Sequence, residues 1–188
     1  ERSAWINSPR LSLIFGPWAK SEVFLNWGYG FHSNDARGMT AKVTAKTGEA
    51  IDPAIPLVRT RGREIGFRSE WLPGLQSSVA LWQLDIASEL VFVGDAGETE
   101  ASGASRRHGV EFNNHYVAAP WLILDADLAL SQARFRHIQG DAPNAGRQVP
   151  GAVRRVLSAG ATVTDLGPWF GQLQLRHFGP RPLIEDNS

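Results

Sequence analysis

Cysteine is absent from the 188 residues, methionine occurs once and tyrosine twice. Without cysteine there is no disulfide framework, no thiolate nucleophile, no iron–sulfur cluster and no zinc site built on sulfur ligands. An excess of one charge sign is missing too: 19 Lys and Arg balance 19 Asp and Glu. No global field therefore recruits nucleic acid, and no nucleic-acid partner is expected. No apolar run approaches the roughly 18 residues of a transmembrane helix. A membrane barrel is not excluded by this, because its strands need only every second residue apolar. Disorder is excluded, since 43% of residues are hydrophobic and 20% charged, a composition able to offset the entropy of ordering.

What the chain does have is alternation. Period 2 runs through eight segments, and no stretch keeps a 3.6-residue period long enough for a helix. In residues 22–31, Val23, Leu25, Trp27, Tyr29 and Phe31 share one face against Glu22, Asn26, Gly28 and Gly30. Residues 64–71 set Ile65, Phe67 and Trp71 against Glu64, Arg68 and Glu70. Residues 80–92 read as one long strand, with Trp82, Leu84, Ile86, Leu90 and Phe92 opposite Gln83, Asp85 and Glu89. Residues 109–116 oppose Val110, Phe112 and Tyr116 to Glu111, Asn113 and His115, and residues 122–131 oppose five apolar positions to Asp125, Asp127 and Ser131. Residues 10–15 and 171–178 repeat the pattern, and residues 153–163 carry its weakest instance.

The connections alternate as well. Short turns at Gly16-Pro17-Trp18, Trp71-Leu72-Pro73-Gly74, Ala119-Pro120-Trp121 and Gly167-Pro168-Trp169 each place a Trp close to a Pro. Between them lie long polar connections, His32 to Pro56, Gly94 to Arg107 and Gln139 to Gly151, with a fourth opening at Gly179. Tight turns alternating with long loops describe an up-and-down meander with turns at one end and loops at the other. In a transmembrane barrel the turns are periplasmic and the loops extracellular, and aromatic girdles mark the lipid boundaries. The four turn tryptophans fit one such girdle, because an indole is apolar with one polar N–H. The expected fold is thus all-β, an antiparallel up-and-down transmembrane β-barrel segment of about eight strands. Its rivals are a self-contained eight-stranded barrel serving as enzyme or anchor, and a soluble β-sandwich binding module.

Four runs carry a family resemblance. The segment Trp27-Gly28-Tyr29-Gly30-Phe31-His32-Ser33-Asn34-Asp35-Ala36-Arg37-Gly38 resembles a strand-to-loop segment of TonB-dependent outer-membrane receptors. Ser88 to Gly97, Ser105 to Glu111 and Arg176 to Ser188 are similar to further runs of that family, in the same order. The resemblance implies a Gram-negative outer-membrane barrel of about 22 strands, filled by an N-terminal plug and powered by the inner-membrane TonB complex. It implies uptake of a scarce nutrient such as a metal chelate, without covalent chemistry, so the chain is expected not to be an enzyme. Glu1 to Pro9 lack an export-signal pattern and Leu183 to Ser188 lack a closing aromatic strand. Residues 1–188 are therefore expected to be one partial barrel domain, without plug or terminal strands.

Candidate sites follow from this. His32, Asn34, Asp35 and Arg37 form the densest polar cluster, at the mouth of a strand where a ligand would arrive, although Asn, Asp and Ser beside Gly also serve as turn formers. Arg106 and Arg107 are read as loop residues able to attract an anionic complex or lipopolysaccharide phosphate. Glu64, Arg68, Glu70, Glu89, Glu111, Asp125, Asp127 and Arg176 are expected to line the lumen, where they would meet across strands and hold the plug. The spacing of Asp95, Glu98 and Glu100 fails a calcium loop, and the five histidines show no metal-binding spacing. No catalytic residue, metal or cofactor is assigned. The expected partners are outer-membrane lipid and lipopolysaccharide, the plug, TonB, and a small molecule of undetermined kind.

Overall fold

In the computed structural model the described residues are 3–33, 43, 48, 50, 55–93, 98–139 and 145–186. Among them eleven strands follow one another: β1 (Arg10–Trp18), β2 (Ser21–Ser33), β3 (Leu57–Ser69), β4 (Leu75–Ile86), β5 (Glu89–Val93), β6 (Glu98–Ser102), β7 (Ser105–Ala119), β8 (Leu122–Gln139), β9 (Gly146–Gln148), β10 (Arg155–Leu166) and β11 (Trp169–Phe178). No α-helix occurs among the described residues. Nine strands form one sheet, in the order β1-β2-β3-β4-β7-β8-β10-β11 with β9 beside β8, while β5 and β6 form a separate hairpin. All pairs are antiparallel.

The eight strands on the main path are the eight segments in which hydrophobicity alternates. Tight turns make them neighbours: Gly74 and Gly167 adopt φ of +79° and +63°, a region that favours glycine because it has no Cβ. The strands run further than the alternation shows. β3 begins at Leu57 and β8 reaches Gln139, because ladder hydrogen bonding continues where the apolar and polar residues no longer alternate. β1 and β11 end the sheet without pairing to each other, whereas a closed eight-stranded barrel requires that pair.

The described residues enclose almost no interior. The buried hydrophobic side chains among the described residues are Val58, Ile86, Phe135 and Val149. The chain exposes 12952 Å², against about 8,900 Å² for a compact protein of its mass. A sandwich would bury one face of each sheet; here Leu11, Leu13, Phe15, Ile65, Phe67, Leu81, Phe112, Leu173 and Leu175 are all exposed. This apolar surface needs a solvent other than water.

Register places those side chains together. Leu13↔Leu25↔Ile65↔Leu81↔Val110↔Leu130 runs straight across six strands, and Leu128↔Leu157↔His177 continues one level away. The other face carries Glu22, Asn26, Glu64, Arg68, Glu111, Asn113, Asp125, Asp127 and Arg176.

One segment departs from the sequence reading. Residues 80–92 are not a single strand: β4 stops at Ile86, and Glu89 opens the β5–β6 hairpin off the main sheet. The faces of β4 are also the reverse of those expected. Val79 and Leu81 pair with Phe67 and Ile65 on the apolar side, while Trp82 pairs with Glu64 and Gly109 on the polar side. The alternation misleads here because the stretch is apolar on both parities. Val79, Ala80, Leu81 and Trp82 are consecutive, so only the partner strands decide the face.

Candidate functional site

The polar face is a set of cross-strand pairs. Ser12 Oγ donates to Asn26 Oδ1 at 2.6 Å, and Asn26 Nδ2 donates to Glu64 Oε1 at 2.9 Å, linking β1, β2 and β3. Arg68 Nε donates to Glu22 Oε2 at 2.6 Å. His115 Nδ1 lies 2.7 Å from Asp125 Oδ1 across β7 and β8. Asp127 stands between Asn113 and Ser158, and Arg176 beside Ser158. Two concavities open here. One of about 590 Å³, near the turn end, is lined by Glu22, Arg68, Glu70, His115, Asp125 and Asp127 among others. The other, of about 710 Å³, includes Asn26, Glu64, Trp82 and Glu111. On this face the ring of Phe24 covers Gly66 so closely that a Cβ there would collide with it.

Of the residues expected to line a lumen, Glu64, Arg68, Glu111, Asp125, Asp127 and Arg176 share this polar face. Glu70 lies one residue past β3 and borders the first concavity. Glu89 does not join them, because it stands in the separate hairpin.

The expected mouth cluster is described only in part. His32 pairs with Val58 near the end of β2, and Asn34, Asp35 and Arg37 lie outside the described residues. Arg106 and Arg107 are not loop residues but the second and third residues of β7. Arg106 pairs with Asp85 and Arg134, Arg107 with Leu84 and Ala133, so they project from opposite faces. The strand continues to Ser105 because it has a hydrogen-bonding neighbour on both sides.

The opposite face carries a cluster that the sequence reading missed. Its apolar belt runs on β8 from Leu122 to Leu130, eight residue steps. At about 3.3 Å per residue and a tilt near 40°, that is about 20 Å of height, close to the roughly 25 Å band of outer-membrane barrels. At the turn end sit Trp18, Trp71, Trp121 and Trp169, with Trp71 and Trp169 each 73% exposed. At the loop end the same face carries Arg61, Arg63, Arg106, Arg134 and Arg136, at alternate positions of β3, β7 and β8, while β2 keeps the aromatic Trp27, Tyr29 and Phe31 beside Arg63, Arg61 and Arg59.

Asp85 is the centre of that cluster. It accepts hydrogen bonds from Arg61 Nη2 at 3.0 Å, Arg106 Nε at 2.8 Å, Arg136 Nη2 at 3.0 Å and Gln83 Nε2 at 3.1 Å. Arg63 Nη2 stands 3.9 Å away. The carboxylate is 10% exposed and the four guanidinium side chains 39–52%, so one covered anion holds several half-exposed cations. The signal for it was present in the sequence. Arg59, Arg61 and Arg63 precede Ile65 and Phe67 at the same parity, and Arg134 and Arg136 follow Leu128 and Leu130.

Among the described residues no group of three His, Asp or Glu is placed to hold a metal ion.

Comparison with known proteins bears on this two-faced sheet. Residues 1–187 match the family described as TonB dependent receptor-like, beta-barrel. No curated protein matches the sequence. Among solved structures, the ferric yersiniabactin uptake receptor FyuA from Yersinia pestis superposes with a TM-score of 0.67 at 16% identity, over 95% of this chain and 27% of that one. The copper transporter OprC gives 0.63 at 16% identity, over 90% and 25%. The alcaligin outer membrane receptor FauA from Bordetella pertussis gives 0.58 at 14% identity, over 92% and 29%. The chain spans about a quarter of the length of these receptors. An open antiparallel sheet, apolar on one side and ionic on the other, is a piece of barrel wall, and the chain belongs to the TonB-dependent receptor β-barrel family of the Gram-negative outer membrane.

Proposed function

We propose that this chain is a partial barrel domain in the wall of a receptor that takes up a scarce nutrient, a metal chelate by preference, energised by TonB through a plug domain. The observation that carries this reading is the division of the sheet into two faces across every strand of the main path. The polar face, with Glu64, Arg68, Glu70, Glu111, Asp125, Asp127 and Arg176, is the lumen wall. It presents hydrogen-bonding groups and two concavities against which a plug can seat and past which a solute can move. The apolar face meets outer-membrane lipid, and lipopolysaccharide is the lipid at its loop end. His32, Asn34, Asp35 and Arg37 belong to the outer mouth, where an arriving ligand makes contact.

A metal chelate is favoured because the solved structures similar to this chain are described as receptors for ferric yersiniabactin and alcaligin and as iron and copper transporters. Transport through such a wall needs binding and exclusion rather than bond making. In the test, cells carrying or lacking the full-length receptor are given radioactive iron as a panel of ferric siderophores. Accumulation of at least one chelate should require both the receptor and an intact TonB system. Accumulation that persists when the proton-motive force is collapsed would overturn the proposal.

A further inference from the structure

We infer that the loop end of the apolar face holds a phosphate-binding site for lipopolysaccharide, formed by Arg106, Arg134, Arg136 and Arg147. The inference rests on the reading above that this face meets lipid. A concavity of about 330 Å³ is lined by Arg106, His108, Arg134, Phe135, Arg136 and Arg147, with no carboxylate among them. Asp85 joins two of the four guanidiniums, Arg106 and Arg136, and one carboxylate against four cations leaves the hollow with a net positive charge that favours a further anion. The volume holds about ten waters, which leaves room for a phosphate group and part of its hydration shell.

The arginines are held in place before any ligand arrives. Arg106 Nε and Arg136 Nη2 are anchored on Asp85 at 2.8 and 3.0 Å. Arg147 donates from Nε to the Phe135 carbonyl at 3.0 Å and from Nη2 to the Arg136 carbonyl at 2.8 Å. Each guanidinium has five N–H donors in a planar fork that suits phosphate oxygens. Asp85 and the two carbonyls occupy only some of them. Arg61, Arg63, Arg106, Arg134 and Arg136 set five positive charges along this rim, and the carboxylate at its centre, Asp85, supplies one negative charge.

Position selects the occupant. Counting only the positions on this face, Arg106 lies two beyond the apolar Val110, with His108 between, and Arg134 two beyond Leu130, with Gln132 between. The hollow therefore sits just above the belt, at the depth where the outer leaflet presents its head groups. A solute travelling through the lumen is on the other side of the wall. The phosphates of lipopolysaccharide are the anions that reach this place from the membrane itself, and their acyl chains then lie along Val110, Leu128 and Leu130.

The test uses the full-length receptor in detergent, with lipopolysaccharide binding followed by native mass spectrometry. Intact lipopolysaccharide should bind at least about tenfold more tightly than the same lipid stripped of its phosphates. The Arg134→Ser, Arg147→Ser double variant should bind both forms alike. Equal binding of the two forms by the unaltered receptor overturns the inference whether or not the variant folds. Inorganic phosphate should compete only weakly; binding as tight as that of lipopolysaccharide would make the site one for free phosphate and overturn the lipid assignment. A fluorophore on Leu81→Cys separates the two readings. Absence of quenching by brominated lipid overturns the lipid-facing assignment itself, whereas quenching with lipopolysaccharide binding that ignores the phosphates overturns the phosphate site alone.

Discussion

The two ends of the apolar face differ in chemistry although they lie on the same strands. At the turn end the belt closes in Trp18, Trp71, Trp121 and Trp169; at the loop end it closes in Arg61, Arg63, Arg106, Arg134 and Arg136, grouped about Asp85. Indoles suit a boundary where an apolar ring needs one polar contact. Guanidiniums suit a boundary that offers anions. One strand therefore ends in two different interfaces, as expected of a wall between unlike leaflets. The division is not absolute, since Trp27 on β2 lies directly across from Arg63, but among the described residues the four turn tryptophans have no arginine counterpart at their own end of the belt comparable to the Asp85 cluster.

The largest effect should come from breaking the belt between those ends. Ala126 sits in the middle of the apolar run of β8 and Asp127, its neighbour, on the polar face. Ala126→Arg should cost about 2–4 kcal/mol, the penalty for a cation near the bilayer midplane. Asp127→Arg places the same charge on the other face and should change stability by less than about 1 kcal/mol. Denaturant titration of the full-length receptor in phospholipid vesicles measures both. Equal costs would mean that the faces are wrongly assigned.

Next in size is Asp85→Asn. Losing the carboxylate removes the anion shared by Arg61, Arg106 and Arg136. The guanidiniums are partly exposed, so the cost is about 1–2 kcal/mol rather than that of a buried ion pair. Lipopolysaccharide retention should move the other way, upward, because the rim loses the carboxylate that partly neutralises it. A variant that loses both stability and retention would show that Asp85 shapes the site more than it competes for it.

Much of this architecture could be read from residue order. Eight alternating segments, four Pro-Trp turns and the turn-loop rhythm lead to the main-path strands, and the polar parity of Glu64, Arg68, Glu111, Asp125, Asp127 and Arg176 matches one face of the sheet. The failures have two physical causes. Where four apolar residues are consecutive, as at Val79 to Trp82, parity carries no information and the neighbouring strands choose the face. Above the belt, hydrophobic alternation ends while backbone pairing continues, so Arg106 and Arg107 read as loop although they stand in β7. The Asp85 cluster was hidden for a related reason. Its members come from β3, β4, β7 and β8 and meet only through register.

A mutation between these in kind tests the polar face. The ring of Phe24 rests over Gly66, so Gly66→Ala must push that ring aside. Displacing an aromatic that covers a strand glycine should cost about 1 kcal/mol, read from the same denaturant titration. Because the pair lies on the polar face, away from the apolar belt, the cost should be the same in thin and thick bilayers, unlike that of Ala126→Arg.

The smallest effect is expected at the tryptophan end. Trp169 begins β11 and is 73% exposed, so it has few protein contacts to lose, and Trp169→Ala should cost about 0.5–1 kcal/mol in vesicles. The same substitution in a detergent micelle, which has no defined boundary plane, should cost less, because the indole's advantage is its fit to that plane rather than packing. Removing Arg134 should show the reverse dependence: little change in zwitterionic vesicles and a measurable loss only when lipopolysaccharide is present. If Trp169→Ala and Arg134→Ser respond identically to lipid composition, the two ends of the belt are not distinct interfaces, and the turn-end tryptophans and loop-end arginines have no separate consequence for the membrane.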